Sequence, residues 1–339
     1  MRAIVYRETG GPEVLTLEEL PEPEPGPGEV RVRVSFSGVN PTDWKSRRGE
    51  GPGRALPFEF VVPNQDGSGV IDRVGPGVDT DRFGENVWLW DTAWQRPYGT
   101  AQEYVTIPEV QAVRLPPGIG LDVGACIGIP YRTAHRCLTV AEDGPDRLRP
   151  AALAGRTVLI AGGAGAVGNA AIQLARWAGA QVVTTVSSPE KADLARAAGA
   201  HHVVNYRSED AEQAIRSAAP NGVDIIVEVA AAQNVGLDAA VIAPFGVIAV
   251  YANNGGNEVS VPIRPMMTPN ARWQFVLVYT EPEGAKMLAI DSVTEALADE
   301  AIRIGSDAGL PVHHFPLRRA AEAHAAVESG IVGKVLIDL

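Results

Sequence analysis

The chemistry-bearing run that stands out is Val158-Leu159-Ile160-Ala161-Gly162-Gly163-Ala164-Gly165-Ala166-Val167-Gly168. Gly163, Gly165 and Gly168 spell G-x-G-x-x-G, a weak signal by itself. Here the pattern follows an apolar strand and opens a helix with apolar residues at Ala171, Ile172, Leu174, Ala175 and Ala178, which is the context it needs. Such glycines let backbone approach a pyrophosphate, while the helix N-terminus supplies N–H groups and partial positive charge. The competing reading is an ordinary glycine-rich turn between strand and helix.

The next strand tip selects the dinucleotide. NAD-type sites place Asp or Glu there to hold the ribose 2′-hydroxyl. This chain has Thr184-Thr185-Val186-Ser187-Ser188-Pro189-Glu190-Lys191. A carboxylate would repel a 2′-phosphate, whereas Ser187, Ser188 and Lys191 accept one, and Tyr206 and Arg207 lie after the following strand. Glu190 is expected to point along the next helix. NADPH is therefore the expected cofactor, against the alternative that Lys191 is simply a solvated helix residue.

Other candidates carry less. Asn40, beside Pro41, could donate to a developing oxyanion or only cap a turn. Trp88, Trp90 and Trp94 crowd one segment; Trp88 and Trp90 share a strand face and read as core, while Trp94 is the better pocket candidate. Cys126 and Cys137 are too few for a disulfide scaffold or a cysteine-rich zinc site and read as buried thiols. The pairs His201-His202 and His313-His314 place neighbours on opposite strand faces, which disfavours metal. No Ser-Tyr-Lys or His-based dyad is visible. A net charge of −12 disfavours nucleic acid and anionic membranes at long range. Met1 leads straight into a strand pattern, with no apolar leader and no span of apolar residues long enough for a membrane, so a cytoplasmic protein is expected.

These residues need a scaffold. The first 120 or so residues are β-rich: Leu15-Thr16-Leu17 and Val30-Arg31-Val32-Arg33-Val34 alternate, and the proline- and glycine-rich residues 21–28 form a loop. Further short strands are expected at residues 67–71, 84–88 and 101–105, as in a compact barrel-like module. A helix is expected over residues 125–138. Strands then follow at 157–161, 181–186, 202–205, 223–228 and 246–251, separated by helices, which implies a parallel sheet covered on both faces. The tail is expected to supply a strand at 272–279, helices at 291–305 and 319–329 and a strand at 334–339, all folding back onto the first module. The expected fold is α/β in two domains: residues 1–124 with 272–339 for substrate, and residues 125–271 as a Rossmann doubly wound domain for NADPH.

The ordered set of motifs resembles the medium-chain dehydrogenase/reductase superfamily and, within it, the zeta-crystallin-like quinone oxidoreductases. It comprises Gly10-Gly11-Pro12-Glu13-Val14-Leu15, Gly38-Val39-Asn40-Pro41, the run Gly124-Ala125-Cys126-Ile127-Gly128-Ile129-Pro130-Tyr131-Arg132-Thr133-Ala134, the glycine turn, and Gly222-Val223-Asp224-Ile225-Ile226-Val227-Glu228. The likeness runs nearly end to end and implies that the β-rich module is GroES-like. It also implies residue roles. Thr133 would bond the nicotinamide or its neighbouring phosphate. Ala164, Gly165, Ala166 and Val167 would line the pyrophosphate. Ser187, Lys191 and Tyr206 would surround the 2′-phosphate, and Asn234 would sit by the nicotinamide ribose. Tyr251, Ala252, Asn253 and Asn254 would edge the nicotinamide, and Asn40 would face the substrate. A homodimer is implied, joined through edge strands near residues 258–263.

The chain also departs from that pattern. Pro63-Asn64-Gln65-Asp66 stands where relatives carry Pro-Gly-x-Asp, and Trp44, Lys45 and Gly51-Pro52-Gly53 replace an expected tyrosine-bearing loop, so the substrate wall is rebuilt. Val39-Asn40-Pro41-Thr42-Asp43 lacks the metal-binding cysteine of the zinc enzymes, and the structural-zinc cysteines are missing too. Alcohol oxidation wants a Lewis acid; a quinone or conjugated carbonyl spreads the charge itself. The expected activity is zinc-independent reduction of such an acceptor by direct hydride transfer in the cleft between the domains. The alternatives are an enoyl or alkenal reductase with the same cofactor, or a non-catalytic NADPH-binding or RNA-binding protein.

Overall fold

Three valines at alternate positions, Val30, Val32 and Val34, anchor the long third strand of the N-terminal module to its core. The computed structural model describes residues 1–50, 56 and 58–339. The Gly51-Pro52-Gly53 segment lies outside the described residues. In chain order the module runs β1 (Arg2–Val5), β2 (Thr16–Glu19), β3 (Glu29–Val39), α1 (Pro41–Arg47), β4 (Asp66–Val74), β5 (Asn86–Leu89), β6 (Tyr104–Pro108) and β7 (Ala112–Arg114). β3 pairs antiparallel with both β4 and β6, and β4 continues to β5 and β7. The helix α2 (Leu121–Leu138) follows. Its ladder is broken midway: Pro130 has no N–H, and the Ile129 N–H donates instead to the Asp66 carboxylate at 3.0 Å.

The second stretch alternates strand and helix: β8 (Thr157–Ala161), α3 (Ala166–Trp177), β9 (Gln181–Val186), α4 (Pro189–Ala197), β10 (His202–Asn205), α5 (Ala211–Ala218), β11 (Val223–Glu228), α6 (Ala231–Val241), β12 (Ile242–Val250), α7 (Ile263–Met267), β13 (Arg272–Phe275) and α8 (Glu283–Ala298). Among the described residues these strands form a six-stranded sheet in the order β10-β9-β8-β11-β12-β13, every pair parallel. The order reverses beside β8, the switch point at which doubly wound sheets bind ligands. Leu159, Val183, Val204, Ile226 and Ile248 bring β8, β9, β10, β11 and β12 into one buried cluster. The chain closes with β14 (Val312–Pro316), α9 (Ala320–Glu328) and β15 (Lys334–Asp338), and β15 pairs antiparallel with β3.

Two compact units result, Met1–Ile129 with Val312–Leu339, and Pro130–Pro311. This corrects the expected division. Residues 272–311 belong to the second unit, because β13 extends the parallel sheet beyond β12 instead of returning to the first module. The late helix also begins earlier than expected, directly after Pro282, and ends at Ala298, where Glu300 turns to φ 56°. Residues 258–262 form no strand; the edge of the sheet is β13.

Candidate functional site

The β8–α3 turn shows which glycines the fold needs. A Cβ on Gly168 would fall 2.3 Å from the Gly162 carbonyl, and one on Gly163 would fall 2.2 Å from the Thr184 hydroxyl. Those two are glycines for packing. Gly165 differs: a Cβ there would meet nothing closer than 3.4 Å, and its φ of −79° suits any residue. Packing does not demand glycine at Gly165, the exposed N-cap of α3. The space its missing side chain leaves opens outward, over a helix start with no acidic residue in its first turn and no side-chain cap. That is a cradle for an anion held by backbone N–H groups.

Parallel pairing brings the neighbouring strand tips alongside. Val186 ends β9 opposite Asn205 of β10. Just beyond them, Lys191 Nζ donates to Ser187 Oγ at 3.1 Å, and the Ser188 hydroxyl caps α4 by accepting from the Lys191 N–H at 3.3 Å. Tyr206 is exposed and pinned by its N–H to the Val186 carbonyl at 3.2 Å. Glu190 is fully exposed in the first turn of α4, where the Ser188 hydroxyl holds its carboxyl below the usual range. The structure thus brings Ser187, Ser188, Lys191 and Tyr206 together at one corner.

The remaining expected residues lie along the same sheet edge, beyond β11 and β12. Asn234, in the first turns of α6, donates its side-chain N–H to the Glu228 carboxylate at 3.1 and 3.2 Å. Burial pushes the Glu228 carboxyl up. The Tyr251 N–H bonds the Glu228 carbonyl, and the Asn254 N–H bonds the Val229 carbonyl, which fixes the start of the loop after β12. Tyr251, Ala252 and Asn253 line a cavity of about 440 Å³ with Ala232, Phe275 and Leu277. Desolvation pushes the Tyr251 phenol far up, so it stays neutral. Thr133 is 6% exposed on α2.

In the first unit Asn40 lies in a buried polar cluster. Asn40 is 2% exposed, and its amide makes two side-chain hydrogen bonds. Its nitrogen donates to Asp66 at 2.8 Å, and its oxygen accepts from Lys334 Nζ at 2.6 Å. Its backbone N–H donates to Asp43, whose carboxyl is pushed up to about 7, first by burial and then by Asp66. A Cβ on Gly128 would fall 2.1 Å from Asp66, so the glycine makes room for this network. Asn40 thereby joins the buried Lys334–Asp66 ion pair. Asn64 stands at φ 78°; asparagine tolerates that region, and its side chain bonds Ser37 and His324. Trp44 and Trp94 are half-buried, Trp44 on α1 with Lys45 over its ring and Trp94 in the turn after β5. Trp88 and Trp90 are core, 0% and 5% exposed.

Two buried charged side chains that organise these surroundings were not singled out from sequence, Glu228 and Lys334. Each stands at the end of a short strand beside an apolar run, Glu228 after Ile225-Ile226-Val227 and Lys334 before Val335-Leu336-Ile337.

Comparison with known proteins follows the same division. The model for the alcohol dehydrogenase GroES-like domain matches residues 26–117, and the model for zinc-binding dehydrogenases matches residues 166–294. The quinone oxidoreductase of Rattus norvegicus is 31% identical over 342 residues, covering 99% of this chain and 97% of the relative. A 2-haloacrylate reductase of a Burkholderia species is 29% identical, covering 96% and 94%. Among solved structures, the Thermus thermophilus quinone oxidoreductase, also solved in complex with NADPH, superposes with a TM-score of 0.80 at 27% identity over all of both chains. An NAD-dependent alcohol dehydrogenase gives 0.82 at 28%, again over all of both chains. The zinc in one family description finds no matching donor set. Among the described residues no three His, Cys, Asp or Glu side chains converge, and Cys126 is a buried thiol pushed up to about 12. No helix among the described residues is long and apolar enough to cross a membrane.

Proposed function

Because the chain belongs to the quinone oxidoreductase family of the medium-chain dehydrogenases and reductases, we propose that it reduces a quinone or related conjugated carbonyl with NADPH and without zinc. The observation that carries the cofactor choice is the Lys191–Ser187 contact at the tip of β9, where an NAD site would hold a carboxylate. NADPH, when bound, supplies a hydride; with one proton from solvent, the quinone becomes a hydroquinone. The protein's own residues bind and orient. The N–H groups around Gly165 and Ala166 hold the pyrophosphate. Ser187, Ser188, Lys191 and Tyr206 hold the 2′-phosphate. Asn234 contacts the ribose, and Thr133 with Tyr251, Ala252, Asn253 and Asn254 edges the nicotinamide. Trp44 and Trp94 supply flat surfaces for the acceptor. We further propose a homodimer formed along β13.

The 2-haloacrylate reductase relative favours a second reading, saturation of an activated carbon–carbon double bond at the same site. Steady-state kcat/KM for a naphthoquinone and phenanthrenequinone, set against enals and a haloacrylate, separates the two. The quinones are expected to lead by at least about tenfold, a difference of about 1.4 kcal/mol in barrier. A lead for the enals or the haloacrylate retires the quinone assignment.

A further inference from the structure

Glu228 closes β11 with 1% exposure, at the point where the chain turns into α6. Its carboxylate accepts from the Ala230 N–H and, through both oxygens, from the Asn234 side-chain nitrogen. A carboxylate has only acceptors. It therefore dictates the Asn234 amide: the NH2 group faces Glu228 and the carbonyl oxygen faces away. Asp238 lies one turn further along the same face of α6, also 1% exposed, and one of its carboxyl oxygens has no hydrogen-bond partner. Two buried neighbouring carboxyls cannot both ionise without large cost. The charge stays on Glu228, which has the donors. The proton stays on Asp238, which burial and then the Glu228 charge push up to about 8.

We infer that Glu228 is a positioning residue for the cofactor: by locking the Asn234 amide it leaves the Asn234 carbonyl outward as the acceptor for a hydroxyl of the nicotinamide ribose. The inference rests on the NADPH reading of this sheet edge. It goes beyond that reading by assigning the orientation of the ribose contact to a residue that touches no cofactor atom. A glutamine at 228 can both donate and accept, so it would let the Asn234 amide turn over and present a donor where an acceptor is needed.

Calorimetric affinities for NADPH and for adenosine 2′,5′-bisphosphate, which lacks the nicotinamide ribose, test this in Glu228→Gln, Glu228→Asp and Asn234→Ala. Glu228→Gln and Asn234→Ala are each expected to weaken NADPH about tenfold, the loss of one well-placed hydrogen bond, and to leave the bisphosphate unchanged. Glu228→Asp, which keeps an acceptor-only group, is expected to regain part of the NADPH affinity. The double variant is expected to be no weaker than Asn234→Ala. Equal loss of both ligands in Glu228→Gln, or unchanged NADPH affinity in it, overturns the inference. If Glu228→Gln does not fold, unchanged NADPH affinity in Asn234→Ala overturns it instead. Wild-type protein that binds the bisphosphate but not NADPH also overturns it, and failure to bind either ligand removes the cofactor reading itself.

Discussion

At the scale of single residues, neighbouring glycines in one turn do different work. Gly168 is glycine because a carbonyl occupies the space of its Cβ, whereas nothing in the fold occupies that space at Gly165. Gly165→Val is therefore expected to leave the unfolding free energy from urea titration within about 0.5 kcal/mol of wild type, as for a tolerated surface change, and to weaken NADPH at least about tenfold. Gly168→Ala is expected to lower stability by about 1–3 kcal/mol through overpacking. The same stability loss in both variants would show that Gly165 serves packing alone. Asp238 gives a pH signature. Its carboxyl is raised from the ordinary 3.8 to about 8, so the folded state holds a proton that the unfolded chain releases. The stability it confers is complete below about pH 4 and is lost as pH rises through about 8. Asp238→Asn, neutral throughout, is expected to gain stability relative to wild type between about pH 5 and about pH 9 in urea titrations. A constant difference across that range would contradict a protonated Asp238.

At the scale of elements, the parallel strands of the second unit do the positioning, since each proposed nucleotide contact after β8, β9, β10, β11 and β12 lies at the carboxyl end of its strand. That arrangement was legible because apolar runs alternate with helical spacing and because the glycine turn marks the first crossover. What sequence could not place was β13. Arg272–Phe275 is short and mixed in polarity, and only its pairing with β12 decides which sheet it joins. The buried setting of Asn40 was hidden for a related reason: its partner Lys334 lies 294 residues away, and no local pattern announces that contact. Glu228 was quoted as part of a strand, but its hold on Asn234 depends on burial. The edge made by β13 carries its own consequence. Among the described residues no strand pairs with its outer side, and Phe275, Leu277, Ile263 and Met267 are exposed nearby. Unpaired edges beside apolar surface invite strand pairing with another copy. Sedimentation equilibrium is expected to give twice the 35.8 kDa chain mass, and Ile263→Glu with Met267→Glu to give the single-chain mass with NADPH affinity retained. A monomeric wild type would rule out the dimer.

At the scale of the whole molecule, a chain with net charge −12 keeps a local place for a phosphorylated nucleotide. One lysine and two serines stand at the tip of β9, with the Glu190 carboxyl hydrogen-bonded to Ser188; a charge-assisted contact there depends on local geometry and not on the net balance. The acidic surroundings make that contact sensitive to salt. The measurement that bears most directly on this is a calorimetric titration of the wild-type protein with NADPH and with NADH in the same low-salt buffer. NADPH is expected to bind at least about tenfold more tightly, with Lys191→Ala removing most of that preference. NADH bound as tightly as NADPH, or more so, would contradict the account.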